Sequence, residues 1–121
     1  MKKSRPKELP GETWKAITGC GNLYVTMNWS EGKLFEVFAS LGKSGGCSKC
    51  QCEALTRSIS LGLRCEVPIE EYIKQLKGIS CPSPVFTDGG KSLSCIDSIA
   101  KLLEEHGVKE PKEVSLLRGV I

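Results

Sequence analysis

The sequence is poor in histidine, the residue that enzymes most often use for proton transfer. It contains a single histidine, His106. No serine or cysteine stands at a spacing that suggests a catalytic pairing with it, so triad-type nucleophilic chemistry finds no support. His106 falls near the end of an expected helix, where a cation complements the helix dipole. No apolar run approaches the length of a membrane-spanning helix. The basic start, Met1-Lys2-Lys3-Ser4-Arg5-Pro6-Lys7, lacks the apolar stretch that a secretory signal needs. These two absences lead to the expectation of a cytoplasmic protein with no membrane partner. No basic patch with interleaved aromatics marks a sequence-specific reader of nucleic acid. No segment repeats and no linker divides the chain, so its 121 residues are expected to form one domain. Residues 1–10 read as a basic flexible arm and 11–121 as the folded unit. The net charge of +3 sits largely in that arm, as a solvated tail or a weak contact for an acidic partner, nucleotide or nucleic acid.

Alternation marks the first forty residues as strands. Glu12 to about Gly19 carries Thr13, Trp14, Ile17 and Thr18, as a strand would. Cys20-Gly21-Asn22 suits a tight turn. In the next run Leu23, Val25 and Met27 share one face, with Tyr24, Thr26 and Asn28 on the other. Ser30-Glu31-Gly32 is a second turn. Lys33 to Leu41 forms a third strand, with Leu34, Glu36, Phe38 and Ser40 opposite Phe35, Val37, Ala39 and Leu41. From about Cys47 the period becomes helical, with Cys52, Leu55, Ile59 and Leu63 on one stripe. Pro68 suits the first turn of a second helix that stops at Gly78. Ile79 to Lys91 reads as a loop. Ser94 is an expected N-cap with Asp97 three residues on, opening a third helix that ends at Gly107. A short terminal helix through Val114 and Leu117 is also expected. The class is therefore α+β: an antiparallel three-stranded β-meander followed by about three helices packed on one face.

Cysteine is the abundant chemical resource. The seven are Cys20, Cys47, Cys50, Cys52, Cys65, Cys81 and Cys95. In a reducing compartment such density points to metal or thiol chemistry more than to disulfides. Cys20, Cys47, Cys81 and Cys95 all fall in turns, loops or helix starts, where side chains can converge and backbone N–H groups favour thiolates. Four sulfurs so placed would suit zinc. The spacing itself is dispersed: only Cys47-x-x-Cys50 resembles a zinc-knuckle pair, and no second C-x-x-C follows. The competing reading makes the cysteines small buried hydrophobes, which Cys52 and Cys65 fit best. Cys47 and Cys50, three residues apart, could also meet on a helix as a redox pair, with Lys43 and Lys49 as nearby cations, or Cys50 could serve as an alternative ligand. The loop Gly42-Lys43-Ser44-Gly45-Gly46 is not a nucleotide-binding P-loop, because Val37 stands where its first glycine belongs. Lys43, Ser44, Gly45 and Gly46 are still candidates for a generic anion site at a helix start.

An ordered set of segments resembles a known family. They are Arg5-Pro6, Leu9-Pro10-Gly11, Thr18-Gly19-Cys20-Gly21, Phe35-Glu36-Val37-Phe38, Gly42-Lys43-Ser44-Gly45-Gly46-Cys47, Gly78-Ile79-Ser80-Cys81-Pro82-Ser83-Pro84 and Ser94-Cys95-Ile96-Asp97. From about Arg5 to His106 the chain resembles the TSCPD domain, found at the C-terminus of adenosylcobalamin-dependent (class II) ribonucleoside-diphosphate reductases and as free-standing proteins. Ile96 replaces the proline of the naming motif. The resemblance implies a link to ribonucleotide reduction and DNA synthesis, with a reductase or another protein of nucleotide metabolism as partner. It implies no catalysis by this chain alone, since the radical chemistry and the cobalamin belong to a large barrel domain. Cobalamin would enter only through a partner reductase. The resemblance also favours Cys20, Cys47, Cys81 and Cys95 as a zinc site, because all four lie in its signature segments and Cys52 and Cys65 do not. The alternatives are a thiol redox module passing electrons to a reductase, or an anion- or nucleic-acid-binding module.

Overall fold

Strand alternation and two tight turns build the first half of the chain. In the computed structural model, which describes residues 2–42, 46–87 and 90–108, β1 is Gly11–Thr18, β2 Gly21–Ser30 and β3 Lys33–Leu41. They pair in the order β1-β2-β3, each antiparallel to its neighbour. Glu31 and Gly32 both have positive φ, 53° and 78°, the backbone of a two-residue hairpin whose twist matches that of its strands. Leu23, Val25, Met27 and Trp29 of β2 are buried on the core face.

The third strand departs from simple alternation. Asn28 pairs with Glu36 but Trp29 pairs with Leu34, so Phe35 is an extra residue and the strand bulges there. The bulge turns Leu34 to the same side as Val37, not the opposite side as alternation predicts. Both are buried. Phe35 is buried as well, with the Arg64 guanidinium 5.7 Å from its ring centroid.

Helices then close the core face. α1 spans Gly46–Arg64, and Cys52, Thr56, Ile59 and Leu63 form its buried stripe. Ser60 Oγ accepts from Val37 N and donates to Val37 O, both at 2.9 Å. It thereby satisfies the outer backbone groups of β3 at that point. α2 is Ile69–Leu76, with Pro68 at its N-cap. The segment read as a loop contains a small hairpin, β4 Val85–Thr87 and β5 Gly90–Ser92. α3 is Cys95–Leu102, continued by a π-helical turn, Leu103–Gly107. Ile73, Ile99 and Leu103 complete the core against the sheet. The architecture is α+β, with a three-stranded antiparallel meander and three helices on its core face. Lys15, Ile17, Tyr24 and Phe38 remain exposed.

Within residues 2–10, Lys3, Arg5 and Pro10 contact the folded unit, Lys3 also pairing with Glu66 at 3.3 Å. Lys3 and Arg64 exchange hydrogen bonds, Lys3 N to Arg64 O and Arg64 Nε to Lys3 O, each 2.9 Å. Arg5 grips the Glu36 carboxylate at 2.8–3.1 Å, and Trp29 N donates to Pro10 O. Glu36 is buried. Burial opposes its ionisation, but the hydrogen bonds from Arg5 and Asn28 prevail and hold its carboxyl below the ordinary value. The expected terminal helix through Val114 and Leu117 lies outside the described residues.

Candidate functional site: a corner of cysteines

The turn between β1 and β2 is the centre of the site. Thr18, the last residue of β1, donates from Oγ1 to Gly21 O at 2.9 Å and accepts from Cys20 N at 3.2 Å. This fixes the two-residue turn that carries Cys20. The same Oγ1 lies 3.5 Å from Cys95 Sγ. The first residue of α3 is thus joined to the first turn of the sheet, 77 residues away in sequence.

Two further segments converge on this turn. Ser48, in the first turn of α1, places Oγ 3.2 Å from Cys20 Sγ. Gly19 packs so closely on Ser83 that a Cβ there would lie 1.9 Å from Ser83 O. Any side chain at residue 19 would push the 81–84 loop away. Cys81, on that loop, donates its N–H to Leu93 O at 2.9 Å, and its sulfur accepts from Ser83 N at 3.4 Å. Leu93 in turn leads directly into Ser94 and Cys95. Ser94 caps α3 as expected, accepting from Asp97 N at 2.9 Å. It also donates to Ile79 O at 2.6 Å, which ties the loop after α2 to the start of α3.

Cys95 Sγ lies 3.5 Å from Thr18 Oγ1, and Cys52 and Cys95 share the core cluster against which Cys20 packs. Cys20, Cys52 and Cys95 therefore gather, from a turn, a helix middle and a helix start. Burial pushes the Cys52 thiol up to about 12, and the neighbouring Cys95 and Cys20 add to the shift. Burial also raises Cys95, and Cys20 beside it acts in the same direction while Thr18 opposes. Crowded, buried thiols hold their protons because a second negative charge in the same poorly solvated space is costly.

Of the four cysteines singled out as a zinc site, Cys20 and Cys95 both lie at Thr18 Oγ1, Cys20 through its N–H and Cys95 through its sulfur. Cys81 is half-buried on the loop that packs on the Cys20 turn, and Cys47 is exposed beside Ser48. Cys50 is exposed too, its sulfur donating to Cys47 O at 3.3 Å. Among the described residues no three of His, Cys, Asp or Glu are placed to hold a metal ion as they stand. The donor set is nevertheless sulfur-rich, the chemistry that a soft cation such as zinc prefers. Lys43, Ser44 and Gly45 lie outside the described residues, and Gly46 opens α1. His106 stacks on Trp14, the rings 3.6 Å apart and 4° from parallel, and so closes the end of α3 against β1.

Sequence reasoning missed two participants. Cys52 sits on the apolar stripe of α1 as a core residue should, 2% exposed. Its role as a neighbour of Cys95 depends on how α1 meets α3, which no local pattern encodes. Asp97 does more than accompany a cap. It is fully buried, and its carboxylate accepts from Gly78 N at 2.8 Å and Leu93 N at 3.1 Å and pairs with Lys101 at 2.9 Å. Burial opposes its ionisation, but these donors outweigh it and keep the carboxyl below the ordinary aspartate value.

A family model described as the TSCPD domain matches residues 1–107. Curated relatives include the vitamin B12-dependent ribonucleotide reductase of Agrobacterium fabrum, 33% identical over 70 residues, which are 57% of this chain and 6% of that protein. Those of Streptomyces clavuligerus and Streptantibioticus cattleyicolor are each 29% identical over 89 residues. These matches cover 73% of this chain and 9% and 15% of the respective reductases. The chain thus spans between 6% and 15% of the length of these relatives. No solved structure gives a significant match. No helix among the described residues is long and apolar enough to cross a membrane.

Proposed function

The chain belongs to the TSCPD domain family, and on that premise we propose that it is an accessory module of ribonucleotide reduction whose cysteine corner binds zinc. The observation that supports the reading is Thr18 Oγ1, which accepts from Cys20 N and lies 3.5 Å from Cys95 Sγ. It brings the cysteine-bearing first turn and the start of α3, distant in sequence, to one end of the sheet. Cys20, Cys47, Cys81 and Cys95 would hold the metal, and zinc bound there would brace the helix starts and the 81–84 loop against the β1–β2 turn. Metal binding would displace the thiol protons and so contribute to folding. The chain's own residues prepare this. Thr18 shapes the turn beneath Cys20, Ser94 and Asp97 hold the start of α3, and Gly19 lets the loop bearing Cys81 approach.

The partner is proposed to be a vitamin B12-dependent ribonucleotide reductase, the protein to which the relatives' matching segments belong. In this reading the reductase supplies the cobalamin and the catalysis in the cytoplasm, and this module supplies a docking or stabilising element for DNA precursor synthesis. Two measurements test it. Protein purified without added metal is expected to carry about one zinc per chain. Less than about half an equivalent, with the fold intact, would defeat the metal assignment. Co-purification with a B12-dependent reductase that lacks its own TSCPD segment is expected, and failure to bind it would defeat the partner assignment.

A further inference from the structure

We propose that Cys20 and Cys95 form a redox pair, closed to a disulfide by a hydroperoxide, and that oxidation of the chain is recorded there and not at Cys47 and Cys50. The pair shares two sulfurs with the proposed metal site but requires no metal.

Proximity, access and freedom to move select this pair. Cys20 and Cys95 flank one hydroxyl: Thr18 Oγ1 accepts from Cys20 N at 3.2 Å and lies 3.5 Å from Cys95 Sγ, and Cys20 packs against the cluster that contains Cys95. Cys20 is half-buried, so a small oxidant can reach its sulfur, whereas Cys95 and Cys52 are buried. Cys20 sits in the turn between Thr18 and Gly21, outside both strands. Its sulfur can shift without breaking the β1–β2 ladder. Cys95 is the first residue of α3, where a small adjustment leaves the rest of the helix bonded. Cys52 shares the buried cluster with Cys95, but it lies within α1 in the core, shielded from an oxidant.

The C-x-x-C pair is the weaker candidate despite its exposure. Cys47 and Cys50 both lie inside α1, which begins at Gly46. Residues three apart on a helix have Cβ atoms about 5–6 Å from each other, while a disulfide needs them at roughly 3.5–4.5 Å. Closing that bond would require the first turn of α1 to adjust, and Cys50 Sγ is directed to Cys47 O at 3.3 Å.

The chemistry balances in two steps. The Cys20 sulfur attacks the hydroperoxide, the O–O bond breaks, and Cys20 becomes a sulfenic acid while an alcohol or water leaves with the thiol proton. The Cys95 sulfur then attacks the sulfenic sulfur. The S–S bond forms, the S–O bond breaks, and the oxygen departs as water with the Cys95 proton. Both thiols together lose two electrons to the hydroperoxide.

The test treats the full chain with hydrogen peroxide, both as purified and after stripping with a chelator. Remaining thiols are then alkylated and the peptides mapped. The expected product is a Cys20–Cys95 disulfide that dithiothreitol reverses. In Cys95→Ser, Cys20 is expected to stop at a sulfenic acid that dimedone traps, and Cys52→Ala is expected to keep the disulfide. If that variant fails to fold, the map of the unaltered chain decides the matter alone. Recovery of Cys20 and Cys95 as free thiols, or a disulfide at Cys47–Cys50 instead, overturns the proposal. A chain that forms the bond yet carries no metal as purified sinks only the zinc reading. A metal-loaded chain whose stripped form never makes the bond sinks only this one.

Discussion

Replacing Asp97 by alanine removes the acceptor that joins three segments. Its carboxylate takes the N–H of Gly78 after α2, the N–H of Leu93 before α3 and the ammonium of Lys101. A hydrogen bond to a charged group contributes roughly 1.5–3 kcal/mol, and a buried donor left without its partner costs a similar amount. Lys101 is partly exposed and can turn to water, so its share is discounted. The two backbone donors set the scale, at about 3 kcal/mol for the pair. In a domain of this size that corresponds to a fall in melting temperature on the order of 10–15 °C. Asp97→Asn should fall almost as far, because its NH2 group must face one of the two N–H donors. Acid gives an independent check. The folded carboxyl titrates below the unfolded one, so between those two values the unfolded chain binds the additional proton. The stability from Asp97 is therefore fully present above the ordinary aspartate value of about 4 and is lost as pH falls through the folded value. Glu36 contributes in the same direction, so the quantity to follow is the difference between parent and Asp97→Asn. Thermal melts followed by circular dichroism at pH 7 and near pH 3 should show the gap narrowing in acid. A gap that stays constant, or a loss below about 3 °C at neutral pH, would refute this account of Asp97.

Two further substitutions probe packing. Gly19→Ala puts a methyl group against Ser83 O and should cost about 1–3 kcal/mol as overpacking does, with weaker retention of zinc as Cys81 is pushed from the Cys20 turn. A chemical-denaturation midpoint and zinc content equal to the parent's would rule that out. Ile59→Ala empties a fully buried site between α1 and the sheet. Its urea midpoint should reveal a loss of about 2–5 kcal/mol, and a loss under 1 kcal/mol would mean that the core is placed wrongly.

How much of this was legible depended on how local each signal is. The first two strands and both of their turns follow from alternation and turn chemistry, because a side chain's face is decided by its own strand. The register of Leu34 was not legible. A bulge is set by what the partner strand and the core require, here Trp29 and Leu34 meeting on one side. The β4–β5 hairpin was hidden because three-residue strands are too short to show a period. For the cysteines, positions in turns and helix starts were readable, and they predicted that distant loops would share a corner. Which cysteines share one cluster was not readable, since Cys52 looks from its own helix like any core residue. Asp97 posed the same difficulty: its cap position was visible, but its bonds to Gly78 and Leu93 come from segments that only the tertiary fold brings near.

The pair of hydrogen bonds between Ser60 and Val37 bears on how copies of this domain can associate. A sheet has two flanks, and on the β3 side the helix has already taken the groups that an incoming strand would seek at that point. Among the described residues no strand pairs with the outer side of β1. An incoming strand is thus refused at Val37 on the β3 flank, while on the other flank the β4 strand packs against β1 without pairing with it.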